Sequence, residues 1–437
     1  MRYSAITPAA RREMLERIGV KDASELMASI PEDVRMSEPI QVPGPMAEAE
    51  LCGRLESIKG RRPKLSFAGA GLYQHYVPAT VNSLAARSEW VTSYTPYQPE
   101  LAQGTLTMYY EFQTYIAQLT GQEIANGGMY DGSTSMVEAI LMAIRLRAKA
   151  DKVVYASAGL HPSYAEVLHT YMRFADVKVV SVALDPATGK TDWSTVSGLE
   201  NATAVIVQSP NFFGMIEDCD GLPEKAFKVG VCTEALSMAM LKPLAVDIMT
   251  GECQSFGIPM QLGGPTAGFF ATKKSLVRKM PGRLVGRTVD AVGNEAFCIT
   301  LATREQFIRR EKATSNICTS SGLMCLRATL YLSLMGGKGL ADLARKNTSA
   351  AAFFAKGLED LGFPRVYSGP IFNEFVIDTS SRPGAFQKLL DNDIVLGVSL
   401  ERFDSERKGQ YLVAVTEMQY GRAEAHMQEI KDLVLQS

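Results

Sequence analysis

The sequence lacks several features that would assign it to a broad functional class. Its 437 residues contain no apolar run near the roughly 20 residues that cross a bilayer. Lys and Arg number 45 against 47 Asp and Glu, so the chain has no positive excess to attract nucleic acid. The four histidines share no zinc-binding spacing, which argues against a metal site. Seven cysteines without a C-x-x-C pair, and no apolar leader at the N-terminus, favour free thiols in a reducing cytoplasm.

The first part of the chain, residues 1–65, is predicted to be an arm with little core of its own. Thr7 is a good N-cap for a helix that begins at Pro8. A second short helix is expected between Asp22 and Ile30, and the prolines that follow keep the chain extended. Such a segment is suited to wrapping a larger body or a partner.

From residue 66 to 335, short apolar runs alternate with amphipathic helices, which predicts one large domain. Apolar runs without polar alternation are typical of strands buried on both faces, as in a parallel, doubly wound sheet. The predicted strands are Lys152–Ala156, Val177–Val182, Ala204–Gln208, Lys228–Cys232, Leu244–Met249 and Ala267–Thr272.

Four residues, Gly336 to Gly339, end this pattern, and residues 336–437 predict a small C-terminal α+β domain. Its expected elements are helix 340–361, strand Asn373–Asp378, helix Ala385–Asp391, strand Tyr411–Val415 and helix Arg422–Leu435. An α/β fold with a large domain on a parallel or mixed sheet and a small α+β domain is the outline of fold-type-I pyridoxal-phosphate enzymes. That analogy concerns architecture and assigns no chemistry.

The loop from Trp90 to Gly104 is the most distinctive stretch of the sequence. Its prolines at 96 and 99 stiffen a surface that carries aromatic and polar side chains. The loop is suited to presenting Tyr97 and Gln98 to a small ligand, although a rigid packing loop would have the same composition. Upstream, the glycines of Phe67–Pro78 permit close backbone approach beside Tyr73 and His75.

Three further segments allow two interpretations each. The start of the helix near residue 132 is either a capping box of Ser135 and Glu138 or a phosphate cradle, whose members would be Gly132, Ser133 and Thr134. His161 either caps a helix or stacks on a cofactor ring. The basic segment 309–312 is either a solvated face or a functional surface, which would be an edge of the active site or a docking surface for an acidic carrier protein. Asn316 beyond it lies in a polar loop suited to a ligand.

Several long segments together carry a resemblance to one family. They are Ser93–Gln103, the glycine-rich region around Tyr73, Gly263–Ala271, Met280–Thr288 and Thr303–Thr319. The sequence resembles the P-protein of the glycine cleavage system, a glycine dehydrogenase that is decarboxylating and aminomethyl-transferring. The resemblance is collinear over nearly the whole chain. That family occurs as one long chain with two similar halves or as two subunits, and this chain resembles the first half, the alpha subunit, alone.

A lysine is missing where the resemblance requires one. In fold-type-I enzymes the lysine that binds the cofactor follows a late strand of the large domain, and here the loop Thr250–Pro259 contains none. By resemblance Gln254 occupies the lysine position, and an amide cannot form an imine with the cofactor aldehyde. The acid expected beside the pyridine nitrogen is represented only by Glu234, or is replaced by Thr233.

The resemblance implies a function shared between two chains. A second P-protein subunit would hold pyridoxal 5'-phosphate covalently on its lysine, in an α2β2 heterotetramer. Glycine would be decarboxylated there, and its aminomethyl group would pass to the lipoyl arm of the H-protein. This chain would contribute contacts to glycine or the cofactor, from Tyr94, Thr95, Tyr97, Gln98, His75, Tyr73 and Asn316. The alternatives are a self-sufficient pyridoxal-phosphate aminotransferase or lyase, and a non-catalytic scaffold subunit.

Overall fold

The computed structural model describes residues 5–36, 38, 40–60, 62–92, 95–261 and 263–435. The chain divides into two compact units, residues 1–61 and 62–437. Among the described helices, none is both long enough and apolar enough to cross a bilayer. The predicted domain boundaries after residues 65 and 335 stay predictions.

The first unit contains helices α1 (Pro8–Ile18) and α2 (Glu48–Ile58). Thr7 caps α1 through its side chain, as predicted, whereas the second predicted helix is only a short 3-10 turn over Ala23–Met27. Helix α2 was not predicted, although apolar residues recur at helical spacing at Leu51, Leu55 and Ile58. No described residue between 5 and 60 is buried, so this unit has no core of its own.

The second unit contains the remaining elements. Its helices are α3 (Ala79–Ala85), α4 (Gln103–Thr120), α5 (Gly132–Leu146), α6 (Pro162–Ala175), α7 (Gln306–Arg309), α8 (Gly322–Asp360), α9 (Pro383–Asp391), α10 (Glu417–Tyr420) and α11 (Ala423–Leu435). Its strands are β1 (Leu65–Ser66), β2 (Ile124–Ala125), β3 (Asp151–Ser157), β4 (Lys178–Val182), β5 (Ala202–Gln208), β6 (Lys228–Cys232), β7 (Ile248–Glu252), β8 (Gly268–Thr272), β9 (Leu284–Val289), β10 (Glu295–Thr300), β11 (Glu374–Asp378), β12 (Ile394–Val395), β13 (Val398–Ser399) and β14 (Gln410–Ala414).

The central sheet has the strand order β2-β8-β7-β6-β5-β3-β4. The five strands from β7 to β4 are parallel, and β8 runs antiparallel to both of its neighbours. Every residue of β5 is buried, as expected for an apolar strand that is covered on both faces. The predicted α/β class is confirmed, with β7 beginning later than its apolar run suggested. Because parallel strands end at one edge of a sheet, the loops after β3, β5, β6 and β7 come together there.

The C-terminal part packs a small antiparallel sheet of order β11-β14-β13 against α8, α9 and α11. Helix α8 is interrupted at Gly336, whose φ of 60° and ψ of 173° are not helical, so the predicted break is confirmed. The antiparallel hairpin of β9 and β10 was not predicted. It follows the turn that carries Arg283, whose side chain is buried.

Candidate functional site

His75 lies between two buried carboxylates at the edge where the parallel strands end. His75 Nε2 is 3.0 Å from Glu234 Oε2, and His75 Nδ1 is 2.8 Å from Glu417 Oε2. The three side chains are at most 10 % exposed. We call this group the His75 cluster. Each carboxylate also accepts a hydrogen bond from an amide, Asn373 to Glu234 at 3.0 Å and Asn347 to Glu417 at 3.1 Å.

The two carboxylates decide the charge of His75. Burial by itself would lower the pKa of the imidazole, but the charges and hydrogen bonds of Glu234 and Glu417 outweigh it and raise that pKa to about 10. Burial opposes ionisation of Glu417 as well, but hydrogen bonding and charge attraction from His75 leave its pKa below the usual value. The cluster is therefore an imidazolium held by two carboxylates, and Glu234 is occupied by protein groups.

Gln254, at the position where the resemblance implies a lysine, has a structural role. Its Oε1 accepts from the N–H of Tyr73 at 2.9 Å, and its Nε2 donates to the carbonyls of Tyr73 at 3.0 Å and Ile258 at 2.9 Å. The Tyr73 hydroxyl donates to Glu374 Oε2 at 2.7 Å. Burial raises the pKa of Glu374 to about 7. Tyr73, His75 and Gln254 border one cavity of about 650 Å³.

The start of α5 corrects one prediction. The helix begins at Gly132, and its N-cap is Asp131, whose carboxylate accepts from the N–H of Thr134 at 2.9 Å. The predicted capping box is wrong, because Ser135 already lies inside the helix and donates to the backbone carbonyl of Asp131 at 2.8 Å. Glu138, its expected partner, is a buried residue of the same helix.

Carboxylates occupy the predicted phosphate cradle. The N–H of Gly132 donates to Glu252 Oε2 at 3.1 Å, and Ser133 Oγ donates to Asp131 Oδ1 at 2.6 Å. Space is also lacking, since a Cβ on Gly132 would lie 2.1 Å from Tyr164 Oη. Burial raises the pKa of Glu252 to about 7, and a phosphate group there would add like charge beside it. This geometry argues against phosphate binding at Gly132, Ser133 and Thr134.

Pyridoxal phosphate therefore does not fit this site. Gln254, at the position where the resemblance implies the lysine, offers no amine for the cofactor aldehyde, and its amide group is engaged in hydrogen bonds. The place for its phosphate is filled by Glu252. His161, which a cofactor ring would need free, is the N-cap of α6: its Nδ1 accepts from Ser163 N–H at 3.2 Å and its Nε2 lies 3.0 Å from the Ala70 carbonyl oxygen. The capping interpretation of His161 is confirmed.

The stiff loop from Trp90 to Gly104 borders a second cleft. A cavity of about 480 Å³ is lined by Trp90, Val91 and Pro96 of this loop, by helix α4 and by residues between Thr319 and Leu326. Gln98 is exposed and Tyr97 is 48 % exposed, so both are available to a ligand or a partner. The Thr95 hydroxyl is buried without a hydrogen-bond partner among the described residues. Tyr94, also predicted as a contact, lies outside the described residues.

The predicted contacts thus divide into two groups. Hydrogen bonds connect Tyr73 with Gln254 and place His75 in the charge cluster, whereas Tyr97 contacts Arg283 and the ring of Phe307. Asn316 is exposed, and so is the basic segment 309–312, which fits either interpretation of that segment. Sequence reasoning missed Glu417 and Arg283. No group of three or more His, Cys, Asp or Glu that could hold a metal ion occurs among the described residues.

The fold and the site define the class of protein first. The chain shares the fold of pyridoxal-phosphate enzymes of fold type I. For example, sphingosine-1-phosphate lyase of Burkholderia pseudomallei K96243 superimposes on it with a TM-score of 0.65 at 14% sequence identity. The match covers 93% of this chain and 94% of the lyase chain. A crystal structure of glycine decarboxylase (P-protein) of the glycine cleavage system, in inhibitor-bound form, superimposes with a TM-score of 0.84 at 38% identity. That match covers 99% of this chain and 100% of the other.

The particular family follows from the sequence comparisons. The family model of the glycine cleavage system P-protein matches residues 1–433. Two relatives are each named probable glycine dehydrogenase (decarboxylating) subunit 1. That of Solibacter usitatus (strain Ellin6076) is 43% identical over 96% of this chain and 94% of its own, and that of Anaeromyxobacter dehalogenans (strain 2CP-C) is 44% identical over 96% and 97%. The chain belongs to the glycine cleavage system P-protein family, and within it to the subunit 1 type.

Proposed function

We propose that this chain is the half of a two-subunit glycine decarboxylase that lacks the cofactor-binding lysine. In this proposal a second subunit holds pyridoxal phosphate covalently on its lysine, and the two chains assemble as α2β2. Glycine loses CO2, and its aminomethyl group passes to the lipoyl arm of the H-protein. The observation that carries the proposal is Gln254, a buried amide at the lysine position of a chain in this family. Because an amide cannot do the covalent chemistry, another chain has to supply it.

The residues of this chain would bind and orient the substrate at a site shared with the second subunit. Tyr97 and Gln98 are suited to this role, because the prolines of their loop limit its freedom and both side chains are exposed. A polar group that holds the glycine carboxylate acts by fixing the geometry of the reacting bond. Its removal is expected to slow turnover by roughly 100-fold, as for other preorganised hydrogen-bond donors.

The experiment compares loop variants in the reconstituted two-subunit enzyme. Tyr97→Phe and Gln98→Ala should leave assembly intact and reduce glycine decarboxylation, measured as release of labelled CO2 with lipoylated H-protein. Matched controls are Tyr171→Phe and Gln428→Ala, which make the same changes at exposed positions on α6 and α11. A scaffold subunit predicts intact assembly with undiminished turnover for both loop variants, and that result would refute the proposal.

A self-sufficient enzyme makes a different prediction for the chain alone. Purified with excess pyridoxal phosphate and treated with borohydride, the chain is expected to show no reduced lysine adduct by mass spectrometry. Lys273 illustrates why, since its amine forms an ion pair with Asp247 at 2.6 Å and is 52% exposed, which is typical of a surface charge. Release of CO2 from glycine by this chain alone would contradict the proposed division of labour.

A further inference from the structure

Arg283 is a buried arginine that lies between two loops and contacts Thr319, one of the residues that line the second cleft. It follows a turn in which Gly282 has a φ of 73°, a conformation that favours glycine. A second arginine, Arg304, fixes this turn by donating to the carbonyls of Met280 and, at 2.9 Å, of Gly282. The side chain of Arg283 is only 8% exposed, so its guanidinium is confined rather than free to move in solvent.

The guanidinium of Arg283 connects the loop of Tyr97 to the segment 318–319. Its Nη2 donates to the Tyr97 hydroxyl at 3.4 Å, and its Cζ lies 5.5 Å from the centroid of the Tyr97 ring. Its Nη1 donates to Thr319 Oγ1 at 3.2 Å, and its Nη2 also donates to the Cys318 carbonyl. One planar group thus holds two segments that are more than 200 residues apart in the chain, Tyr97 and Cys318–Thr319.

The arginine is poorly placed for stability alone. Its nearest carboxylate is that of Glu305, at 3.8 Å between Nε and Oε2, and neither Arg283 Nε nor Glu305 Oε1 has a hydrogen-bond partner among the described residues. A buried pair without good hydrogen bonds contributes little, because desolvation of both charges opposes the attraction. The hydrogen bonds that the guanidinium does make go to Tyr97 and to residues 318–319.

Tyr97 depends on few other contacts. Its ring makes an edge contact with Phe307, with the centroids 5.3 Å apart, and the rest of the side chain is about half exposed. Without Arg283 the hydroxyl would lose this hydrogen-bond donor, whereas the ring would keep its edge contact with Phe307. Lysine could supply the charge but not the planar fork that reaches two acceptors at once.

We propose that Arg283 is a positioning residue, which holds the Tyr97 hydroxyl and the segment 318–319 in one arrangement at the wall of the shared site. The inference rests on the proposed function, in which Tyr97 contacts substrate or cofactor. Arg283 then acts through Tyr97, and its effect on turnover depends on the presence of the Tyr97 hydroxyl.

The test is a double-mutant cycle in the reconstituted two-subunit enzyme. Arg283→Met should lower kcat by roughly 100-fold, the effect of displacing a catalytic group by about 1 Å, with a smaller change in the KM for glycine. Arg283→Lys should restore only part of the rate, because it returns the charge without the fork. In the Tyr97→Phe background, the fold-decrease in kcat caused by Arg283→Met should be less than about one third of the fold-decrease that it causes in the wild-type background. Arg287→Met is the matched control on the adjacent strand, since Arg287 is 62% exposed and forms a surface ion pair with Glu295.

The outcomes separate this inference from the proposed function. If Tyr97→Phe leaves turnover intact, this inference fails, and the proposed function fails with it only if Gln98→Ala also leaves turnover intact. If Tyr97→Phe slows the enzyme and Arg283→Met multiplies that loss in full, Arg283 acts independently of Tyr97 and only this inference is refuted. Should Arg283→Met not assemble, the same cycle with Arg283→Lys decides the question by the same criterion.

Discussion

Replacing His75 by glutamine tests whether the His75 cluster is held together by charge. The substitution His75→Gln leaves Glu234 and Glu417 buried without the cation that lies 3.0 and 2.8 Å from them. Removing one partner of a buried ion pair costs about 3–5 kcal/mol, mostly because the remaining charge is left uncompensated. The pKa of His75 gives a similar value, since a rise from 6.5 to about 10 corresponds to about 5 kcal/mol of preferential proton binding by the folded state.

The sign of the pH dependence follows from the same shift. Because the pKa of His75 is raised in the folded chain, its contribution is fully present below pH 6.5 and is lost as the pH rises toward about 10. We therefore expect the destabilisation by His75→Gln to be full at pH 6.5 and below, and to shrink as the pH rises toward about 10.

Urea unfolding followed by circular dichroism measures this effect from pH 5 to 9, with the midpoint expected to fall and the slope to stay constant. The exposed His169→Gln is the matched control. Adding Glu234→Gln and Glu417→Gln to His75→Gln should recover most of the loss, because neutral side chains remove the uncompensated charge. A loss below about 1 kcal/mol at pH 6.5, or a loss that does not vary with pH, would refute the assignment of an imidazolium between two carboxylates.

Two further predictions concern the region that would hold a cofactor. The Gln254→Lys chain, mixed alone with pyridoxal phosphate and treated with borohydride, should still give no reduced adduct. The reason is that the carboxylate of Glu252 occupies the N-terminus of α5, where the cofactor phosphate would bind. A reduced adduct at residue 254, detected by mass spectrometry, would contradict this prediction. Asp131→Ala should lower the free energy of unfolding by about 1 kcal/mol, because α5 loses its N-cap. Ser135→Ala should have a smaller effect. Urea unfolding measures both, and a larger loss for Ser135→Ala than for Asp131→Ala would contradict the assigned helix start.

Local signals in the sequence predicted much of the fold. The apolar runs of β3, β5 and β6 and the cap of Thr7 depend on neighbouring residues, and the structure confirms them. The start of α5 near residue 132 was predicted, but the cap was assigned to Ser135 instead of Asp131, which is an equally good capping residue.

The site was less predictable, because its contacts are distant in sequence. Glu234 lies 159 residues and Glu417 342 residues from His75, and no local pattern indicates that the fold brings them together. Arg283 was part of a segment that resembles the family, but its contact with Tyr97 spans 186 residues. By contrast, the absence of a lysine from Thr250–Pro259 is a local fact, and the sequence was sufficient to recognise it.

The hydrogen bonds of Glu252 have a consequence for how the chain behaves without small molecules. A ligand that binds the native state of a protein more tightly than the unfolded state stabilises the native state by mass action. An enzyme whose native state binds a cofactor therefore loses stability when the cofactor concentration falls. Here the N–H groups of Gly132, Cys253 and Ala267 are satisfied by a carboxylate that belongs to the same polypeptide. That carboxyl group is part of the chain and is always present beside these N–H groups, so we expect the stability of this chain not to depend on added pyridoxal phosphate.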